Sequence, residues 1–224
     1  MAGKMFSFIT KTWNPIKFCS HDCVYCWAKK YGVGSPSKGD TPCIRQTSIN
    51  FKPNDFVFVN DLGDLFCNAI PDNMIQSILS IILLYPKTKF LLMTKNPARY
   101  FDFALPCNCT LGCTIESNLD YPDLSKAPIQ SKRIDAMKLI RQTKGYRDFD
   151  LFVSLEPILD FDLGETYHCV AVDMLADFVA VGYDNYGCRL KEPSLEKTNS
   201  LIQMFNENQV TVYDKTLRKA WWEA

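Results

Sequence analysis

The chain has 224 residues, of which 47% are hydrophobic, so it can bury one sizeable core and is short for two. Lysine plus arginine and aspartate plus glutamate both total 25, and this balance excludes a global positive field that would hold nucleic acid by charge alone. We therefore expect a single domain over residues 1–224, on which any basic surface is local.

The ten cysteines are unevenly clustered, and no apolar signal stretch opens the sequence. Both features favour a reducing, cytoplasmic location over that of a secreted, disulfide-bonded protein. The longest apolar run, residues 78–84, ends shortly before Pro86 and is too short to cross a bilayer. We expect it to form a buried helix face, and we expect no membrane partner.

Seven short runs of β-branched and aromatic residues predict strands. The first, residues 5–10, leads through Asn14 and Pro15 into a loop with three cysteines, because Asn-Pro favours a turn. The later runs cover residues 56–60, 89–94, 110–115, 151–155, 178–181 and 210–213.

Helical patterns separate these runs. A first helix is predicted within residues 24–31, Pro97 can begin a helical turn, and Ser194 can cap the last helix. The longer predicted helices cover residues 71–84, 131–143, 167–175 and 194–206.

Alternating strands and helices with short connections require right-handed parallel crossovers. Six or seven strands favour a barrel-like arrangement over an open doubly wound sheet. We predict an α/β fold, a partial (β/α) barrel with about six parallel strands plus a short closing strand. The chemistry of such a fold belongs at the carboxyl ends of its strands.

Three cysteines, Cys19, Cys23 and Cys26, lie within eight residues directly after the first predicted strand. Three close thiolates can hold three irons of a cubane iron–sulfur cluster and leave the fourth iron open to another ligand. Zinc is the alternative, because His21 together with the three cysteines offers a tetrahedral set of one nitrogen and three sulfurs. In that case, we expect a zinc-stabilised, non-catalytic module that binds nucleic acid.

The pattern Cys19-x3-Cys23-x2-Cys26, with Tyr25 directly before the last cysteine, resembles the signature of the radical S-adenosylmethionine (SAM) superfamily. The resemblance implies a [4Fe-4S] cluster on the three cysteines, whose fourth iron is chelated by the amino and carboxylate groups of SAM. It implies an external electron donor such as flavodoxin or ferredoxin, cleavage of SAM to a 5′-deoxyadenosyl radical, and hydrogen abstraction from a substrate. Tyr25 would then lie near the adenine.

Several strand ends are similar to those of a phage- and microbe-encoded branch of this superfamily that is related to spore photoproduct lyase. The similarity extends over most of the chain. It suggests a nucleic-acid base or nucleotide as the substrate, while a peptide or a small metabolite stays open. The matching segments are residues 12–15, 61–66, 93–97, 112–117, 154–157 and 181–182.

The turn after the second strand is a candidate for binding the methionine amino group. Many superfamily members have a Gly-Gly-Glu turn there, whereas this chain has Asp61, Leu62, Gly63 and Asp64. Gly63 permits close backbone approach, and either Asp61 or Asp64 can accept a hydrogen bond from an ammonium group. Helix capping is the alternative role for Asp64.

The later strand ends add four further candidates for the cofactor site. Lys95 can pair with the methionine carboxylate or with a substrate anion, unless it is simply solvated. Glu116 and Ser117 offer the acceptors and donors that suit a ribose diol. Glu156, directly before Pro157, can reach the same mouth, or it can hold the turn that follows its strand.

Five cysteines outside the three-cysteine loop are predicted to act either as hydrogen donors or as buried apolar residues. Cys43 and Cys188 lie in predicted loops, where a thiol near the barrel mouth can donate a hydrogen atom to a substrate radical. Cys67, Cys113 and Cys169 are predicted to be small buried hydrophobic residues. The C-terminal residues Lys215, Arg218, Lys219, Trp221 and Trp222 mix cations with aromatics, and we expect them to pack on the barrel rather than to contact nucleic acid.

Overall fold

The computed structural model describes residues 5–32, 41–45 and 49–223. The strands are β1 (Lys11–Trp13), β2 (Phe56–Val59), β3 (Lys89–Thr94), β4 (Cys109–Thr114), β5 (Asp150–Leu155), β6 (Phe178–Val181) and β7 (Thr211–Asp214). The α-helices are α1 (Trp27–Lys30), α2 (Asp72–Leu83), α3 (Gln130–Gln142), α4 (Leu163–Tyr167) and α5 (Leu195–Glu207). A 3-10 helix spans Pro97–Asp102, and a π-helical segment, His168–Asp173, continues α4.

The strands form one seven-stranded sheet in the order β1-β2-β3-β4-β5-β6-β7, and every neighbouring pair is parallel. Each strand pairs with the next one in sequence, so the sheet has no topological switch point. It curls into a half-barrel that carries helices. The predicted α/β partial barrel is confirmed, and its closing strand β7 is parallel like the other six.

The main core lies between the curled sheet and its helices. Helix α2 buries Ile75, Ile78, Leu79 and Ile82, which recur at helical spacing and form one apolar stripe. The Ser194 hydroxyl accepts a hydrogen bond from the backbone N–H of Lys197 and caps α5, as predicted. Over the part of the chain that the structure describes, no helix is both long and apolar enough to cross a membrane.

The prediction of a strand at residues 5–10 is wrong. The first strand is β1, and the residues before it turn inward and insert Phe6 and Phe8 into the half-barrel. The Phe6 ring lies 4.9 Å from that of Phe152, and the Phe8 ring lies 4.6 Å from that of Tyr213. An aromatic plug and a buried strand have the same apolar composition, so local sequence could not distinguish them.

Side chains alternate between the two faces of each strand, and the inner face becomes polar toward the carboxyl ends. Three inner residues that belong to the interior apolar cluster illustrate this change: Phe152, Ala180 and Tyr213. At two-residue intervals beyond them come Ser154 on β5, Glu156 directly after β5, Gly182 after β6 and Lys215 after β7. The plug therefore closes the bottom of the half-barrel, and charged groups collect at its mouth.

Candidate active site

The cysteine loop packs against the loop that follows β2. The backbone N–H of Asp64 donates to the carbonyl oxygen of Phe18, the residue directly before Cys19, at 3.1 Å. A Cβ atom at Gly63 would overlap that same carbonyl oxygen. The close approach expected at Gly63 is thus made by the backbone of the cysteine loop itself.

Asp64 joins the cysteine loop to β3. Its carboxylate lies 2.8 Å from His21 Nε2 and accepts from the Thr94 hydroxyl at 2.7 Å and the backbone N–H of Lys95 at 2.8 Å. The backbone N–H of Phe66 donates to it at 2.9 Å. Burial by itself raises the pKa of Asp64, but the hydrogen bonds from His21, Lys95 and Thr94 outweigh it and lower that pKa. The carboxylate is ionised, and its acceptor positions are filled.

These contacts indicate which of the two aspartates of the turn, Asp61 or Asp64, can accept a hydrogen bond from a ligand. The Asp64 carboxylate is fully hydrogen-bonded by protein groups. Asp61 is only partly buried and accepts one side-chain hydrogen bond, from Asn14 Nδ2. Burial raises the pKa of Asp61, and the Asn14 hydrogen bond opposes this rise. Asp61 is therefore the carboxylate of this turn that has acceptor positions left for a ligand.

Tyr25 anchors the cysteine loop to the end of β4. Its phenol donates to Glu116 Oε1, and the same carboxylate accepts from Gln130 Nε2 at 2.9 Å and from Arg133 at 2.9 and 3.1 Å. Burial by itself raises the pKa of Glu116, but the positive charges of Arg133 and Lys95 and the Tyr25 hydrogen bond outweigh it and lower that pKa. Burial and the Glu116 charge raise the pKa of Tyr25, so its phenol stays protonated and donates. Glu116, predicted to bind a ribose, has its acceptor positions filled by protein groups.

Lys95 lies in the mouth beside Tyr25, with its ammonium 5.3 Å from the centroid of the tyrosine ring. Burial by itself lowers the pKa of Lys95, but the neighbouring Cys23 and Glu116 outweigh it and raise that pKa. Among the described residues, no hydrogen bond uses the Lys95 ammonium, although an ammonium group has three donors. The charged group is therefore free to bind an anion.

The other two strand-end candidates, Ser117 and Glu156, differ in how far protein groups already engage their side chains. Ser117 is buried, donates to the carbonyl oxygen of Asp160 at 2.7 Å and accepts from the backbone N–H of Leu119 at 3.0 Å, which makes it part of a turn. Glu156 is partly exposed and lies 3.7 Å from the ammonium of Lys215. Burial raises the pKa of Glu156 despite the opposing charges of Lys215 and Lys95.

The two cysteines predicted as hydrogen donors lie in different places. Cys188 packs in the same cluster as Cys23, Tyr25 and Cys26, and its sulfur lies 3.9 Å from the carbonyl oxygen of Val24. Burial and Asp184 raise the pKa of Cys188, which keeps it a thiol. Cys43 is exposed, in the short described segment 41–45. The structure thus brings Cys188 into contact with the cysteine loop, whereas the Cys43 side chain is exposed to solvent.

The other free cysteines are distributed as small apolar residues would be. Cys67 and Cys113 are buried as predicted, whereas Cys169 is only partly buried because α4 and its π-helical continuation lie near the surface. Cys67 also lies close enough to Cys19 to raise its pKa, together with burial and the Asp64 charge, which are the larger causes.

Comparison with known families gives a match that extends over most of the site. Residues 4–185 match the family model described as "Protein of unknown function (DUF5131)". The chain belongs to this family. No curated protein and no solved structure matches it. For this member of the DUF5131 family, the matched segment includes the cysteine loop and β1 to β6 and ends before α5 and Lys215.

The cysteine loop of this DUF5131 protein has the donor chemistry of an iron–sulfur site. Cys19, Cys23 and Cys26 are free thiols on one loop; Cys23 is buried and the other two are partly exposed. Over residues 5–32, 41–45 and 49–223, no three His, Cys, Asp or Glu side chains are grouped closely enough to hold one metal ion. A cubane cluster does not require this, because each thiolate binds a different iron. As a donor set, three free thiols on one loop fit such a cluster.

Burial raises the pKa values of both Cys19 and Cys23, so these thiols are protonated while no metal binds them. Metal binding would displace the protons. His21, the nitrogen ligand of the zinc alternative, directs Nε2 at Asp64.

Sequence reasoning missed three residues that shape this site. Arg133 and Gln130 lie on α3, where Arg133 neutralises the Glu116 charge and Gln130 donates a hydrogen bond to the same carboxylate. Lys215 reaches into the mouth from the end of β7. A core-facing arginine among the apolar positions of α3 was the available signal for the first. Lys215 was grouped with the C-terminal cations, although it lies two residues after an inward-facing tyrosine and so shares its face.

Proposed function

We propose that this protein is a radical SAM enzyme, which uses a [4Fe-4S] cluster and SAM to abstract a hydrogen atom from an organic substrate. The observation that carries the proposal is the position of the Cys19-x3-Cys23-x2-Cys26 loop. It follows the first strand of an all-parallel half-barrel, and its Tyr25 is anchored in the mouth by Glu116. In parallel α/β barrels, that end of the strands carries the chemistry.

The three cysteines would hold the cluster, and the surrounding residues support their loop. Asp64 and Gly63 hold the loop against β2 and β3, and the Tyr25 to Glu116 hydrogen bond holds it against β4. When bound, the cluster would supply the electron that cleaves SAM to methionine and a 5′-deoxyadenosyl radical. The site would provide the fixed geometry on which such chemistry depends.

Two charged groups in the mouth are suited to the methionine part of SAM. Lys95 presents an ammonium that no described residue hydrogen-bonds, and a carboxylate is the natural partner for it. Asp61 has free acceptor positions for an amino group. Since Asp64, Glu116 and Ser117 are engaged by protein groups, we assign these three to positioning rather than to direct cofactor contact.

The substrate would bind in the mouth of the half-barrel beside SAM. By resemblance, a nucleic-acid base or nucleotide is the candidate class, and a peptide or a small metabolite is the alternative. Cys188, a protonated thiol packed against the cysteine loop, is the better placed of the two candidate hydrogen donors. Flavodoxin or ferredoxin would supply the electron from outside.

The test is anaerobic reconstitution of the full-length protein with iron and sulfide. We expect about four irons per chain, broad visible absorbance, and formation of 5′-deoxyadenosine from SAM after chemical reduction. Cys23→Ala should lose iron as well as SAM cleavage. Cys107→Ser is the matched control, because this exposed cysteine precedes β4 at the opposite end of the barrel.

Two results would overturn the proposal. One is a colourless protein that binds a single zinc and leaves SAM intact, which would support the zinc-stabilised module instead. The other is full iron content in the Cys23→Ala variant, which would show that the cluster lies elsewhere.

A further inference from the structure

Glu156 and Lys215 form an ion pair inside the half-barrel, with Lys215 Nζ 3.7 Å from Glu156 Oε1 and side chains only 18% and 20% exposed. Apart from Lys215, no described residue donates a hydrogen bond to the Glu156 carboxylate, which has about four acceptor positions. Lys215 gives one donor to the carbonyl oxygen of Met5 and lies over the Phe6 ring. An acceptor and a donor with spare capacity therefore lie side by side in a poorly hydrated place.

Small and polar residues adjoin this pair. A Cβ atom at Gly182 would lie 2.6 Å from the Cβ of Lys215 and 3.6 Å from Glu156 Oε1, so the missing side chain lets the two groups approach. Ser154 and Thr114 are register neighbours, only 3% and 7% exposed. Neither hydroxyl hydrogen-bonds a described residue, and neither oxygen is sealed from solvent. A ligand that forms hydrogen bonds with these hydroxyls would bind more tightly.

We propose that Glu156, Lys215 and Ser154 form a substrate pocket for a neutral cyclic amide or imide. In such a ring the N–H and C=O groups lie on one edge, so the N–H donates to Glu156 while the C=O accepts from Lys215. A linear trans amide points these groups in opposite directions and cannot engage the pair together.

The surroundings of the pair favour a flat, neutral group. Glu156 and Lys215 have opposite charges, so the pair has no net charge to attract an ion. The aromatic plug, with Phe6 and Phe8, supplies an apolar floor against which a planar ring can pack. Hydrogen bonds from the polar wall then fix the orientation of that ring.

Lys95 is close enough to act on both this pocket and the cofactor side of the mouth. It acts electrostatically on Cys23 and Glu116 on one side and on Glu156 on the other. Glu156, predicted from sequence as a cofactor residue, pairs with Lys215 and is assigned to the substrate in this proposal. The inference deepens the proposed function and rests on it for calling the ligand a substrate, but binding is measurable without the cluster.

The experiment measures binding of three cyclic probes, succinimide, uridine and cyclo(Gly-Gly), to the full-length protein by ligand-detected NMR and calorimetry. The control ligands are N-methylsuccinimide, which lacks the N–H donor, and N-methylacetamide, a linear trans amide. We expect at least one cyclic probe to bind about tenfold or more tightly than its control. This comparison uses the unmodified protein, so it does not depend on how well a variant folds.

Two variants then test the residues. Glu156→Met and Lys215→Met should each weaken the cyclic probe by about tenfold, whereas the exposed controls Glu196→Met and Lys219→Met should not. Thermal unfolding of all four variants checks that the fold is retained.

The outcomes separate this inference from the proposed function. Binding of a cyclic probe by a protein that never cleaves SAM would leave the pocket standing and overturn the radical enzyme. SAM cleavage by a protein that binds none of the three probes, or that binds N-methylsuccinimide equally well, would overturn the pocket alone.

Discussion

Tyr25 donates its phenol proton to Glu116, across 91 residues of sequence, and so connects the cysteine loop to the end of the fourth strand. The acceptor is a fully buried carboxylate that Arg133 and Gln130 also hold. The residue directly before the last cysteine thus fixes the loop in the mouth through a charge-assisted hydrogen bond.

Removing the phenolic hydroxyl of Tyr25 should destabilise the protein measurably. We expect Tyr25→Phe to lower the free energy of unfolding by about 1.5 to 3 kcal/mol, because a buried charged acceptor loses one donor. Urea unfolding measures the change. Tyr31→Phe is the control, since the Tyr31 side chain is 66% exposed, and a similar loss in both variants would contradict the role of Tyr25.

The ion pair between Glu116 and Arg133 should respond differently to single and double substitution. We expect Arg133→Met alone to cost about 3 to 5 kcal/mol, since Glu116 is left as an uncompensated buried charge. Arg133→Met combined with Glu116→Leu should recover part of that loss. For comparison, Lys89→Met breaks a solvent-exposed pair with Asp150 and should cost about 1 kcal/mol or less. Strictly additive effects in the double variant would argue against coupling.

Two carboxylates should change the pH dependence of stability in opposite directions. The folded-state pKa of Glu116 lies below its ordinary value of 4.5, so its contribution is complete above that value and is lost as the pH falls through the folded pKa. The folded-state pKa of Glu156 lies above 4.5, so its contribution is present at low pH and is lost as the pH rises through the folded pKa.

Urea unfolding from about pH 7 to about pH 3 tests both signs. Stability should fall less steeply on acidification in Glu116→Gln than in the parent protein and more steeply in Glu156→Gln. Changes of the same sign in the two variants would show that one of the environments is described incorrectly.

A methyl group at Gly63 should disturb the cysteine loop. We expect Gly63→Ala to cost about 1 to 3 kcal/mol, because its Cβ would collide with the Phe18 backbone, which cannot rotate away as a side chain could. Gly164→Ala is the matched control, since it lies in α4 with nothing within 4 Å of the added carbon. That control should gain about 0.5 to 1 kcal/mol of stability. Equal melting temperatures for the two variants would refute the close approach.

The strands and longer helices could be predicted from sequence because their signals are local. The run Phe56–Val59 is a continuous apolar segment of strand length, and α2 shows a helical stripe. The first strand was misplaced because residues 5–9 are as apolar as a strand but pair with none. Their role depends on the closure of the half-barrel around them, which no local pattern records.

The sequence by itself determined the three-cysteine motif, the parallel α/β alternation and the set of polar residues at strand ends. Tertiary structure alone decided which of those residues are already engaged. Asp64 and Glu116 are saturated by partners far along the chain, while Lys95 and Glu156 keep free capacity. The reason is that a carboxylate's availability depends on the donors packed around it, and packing brings those donors from distant segments.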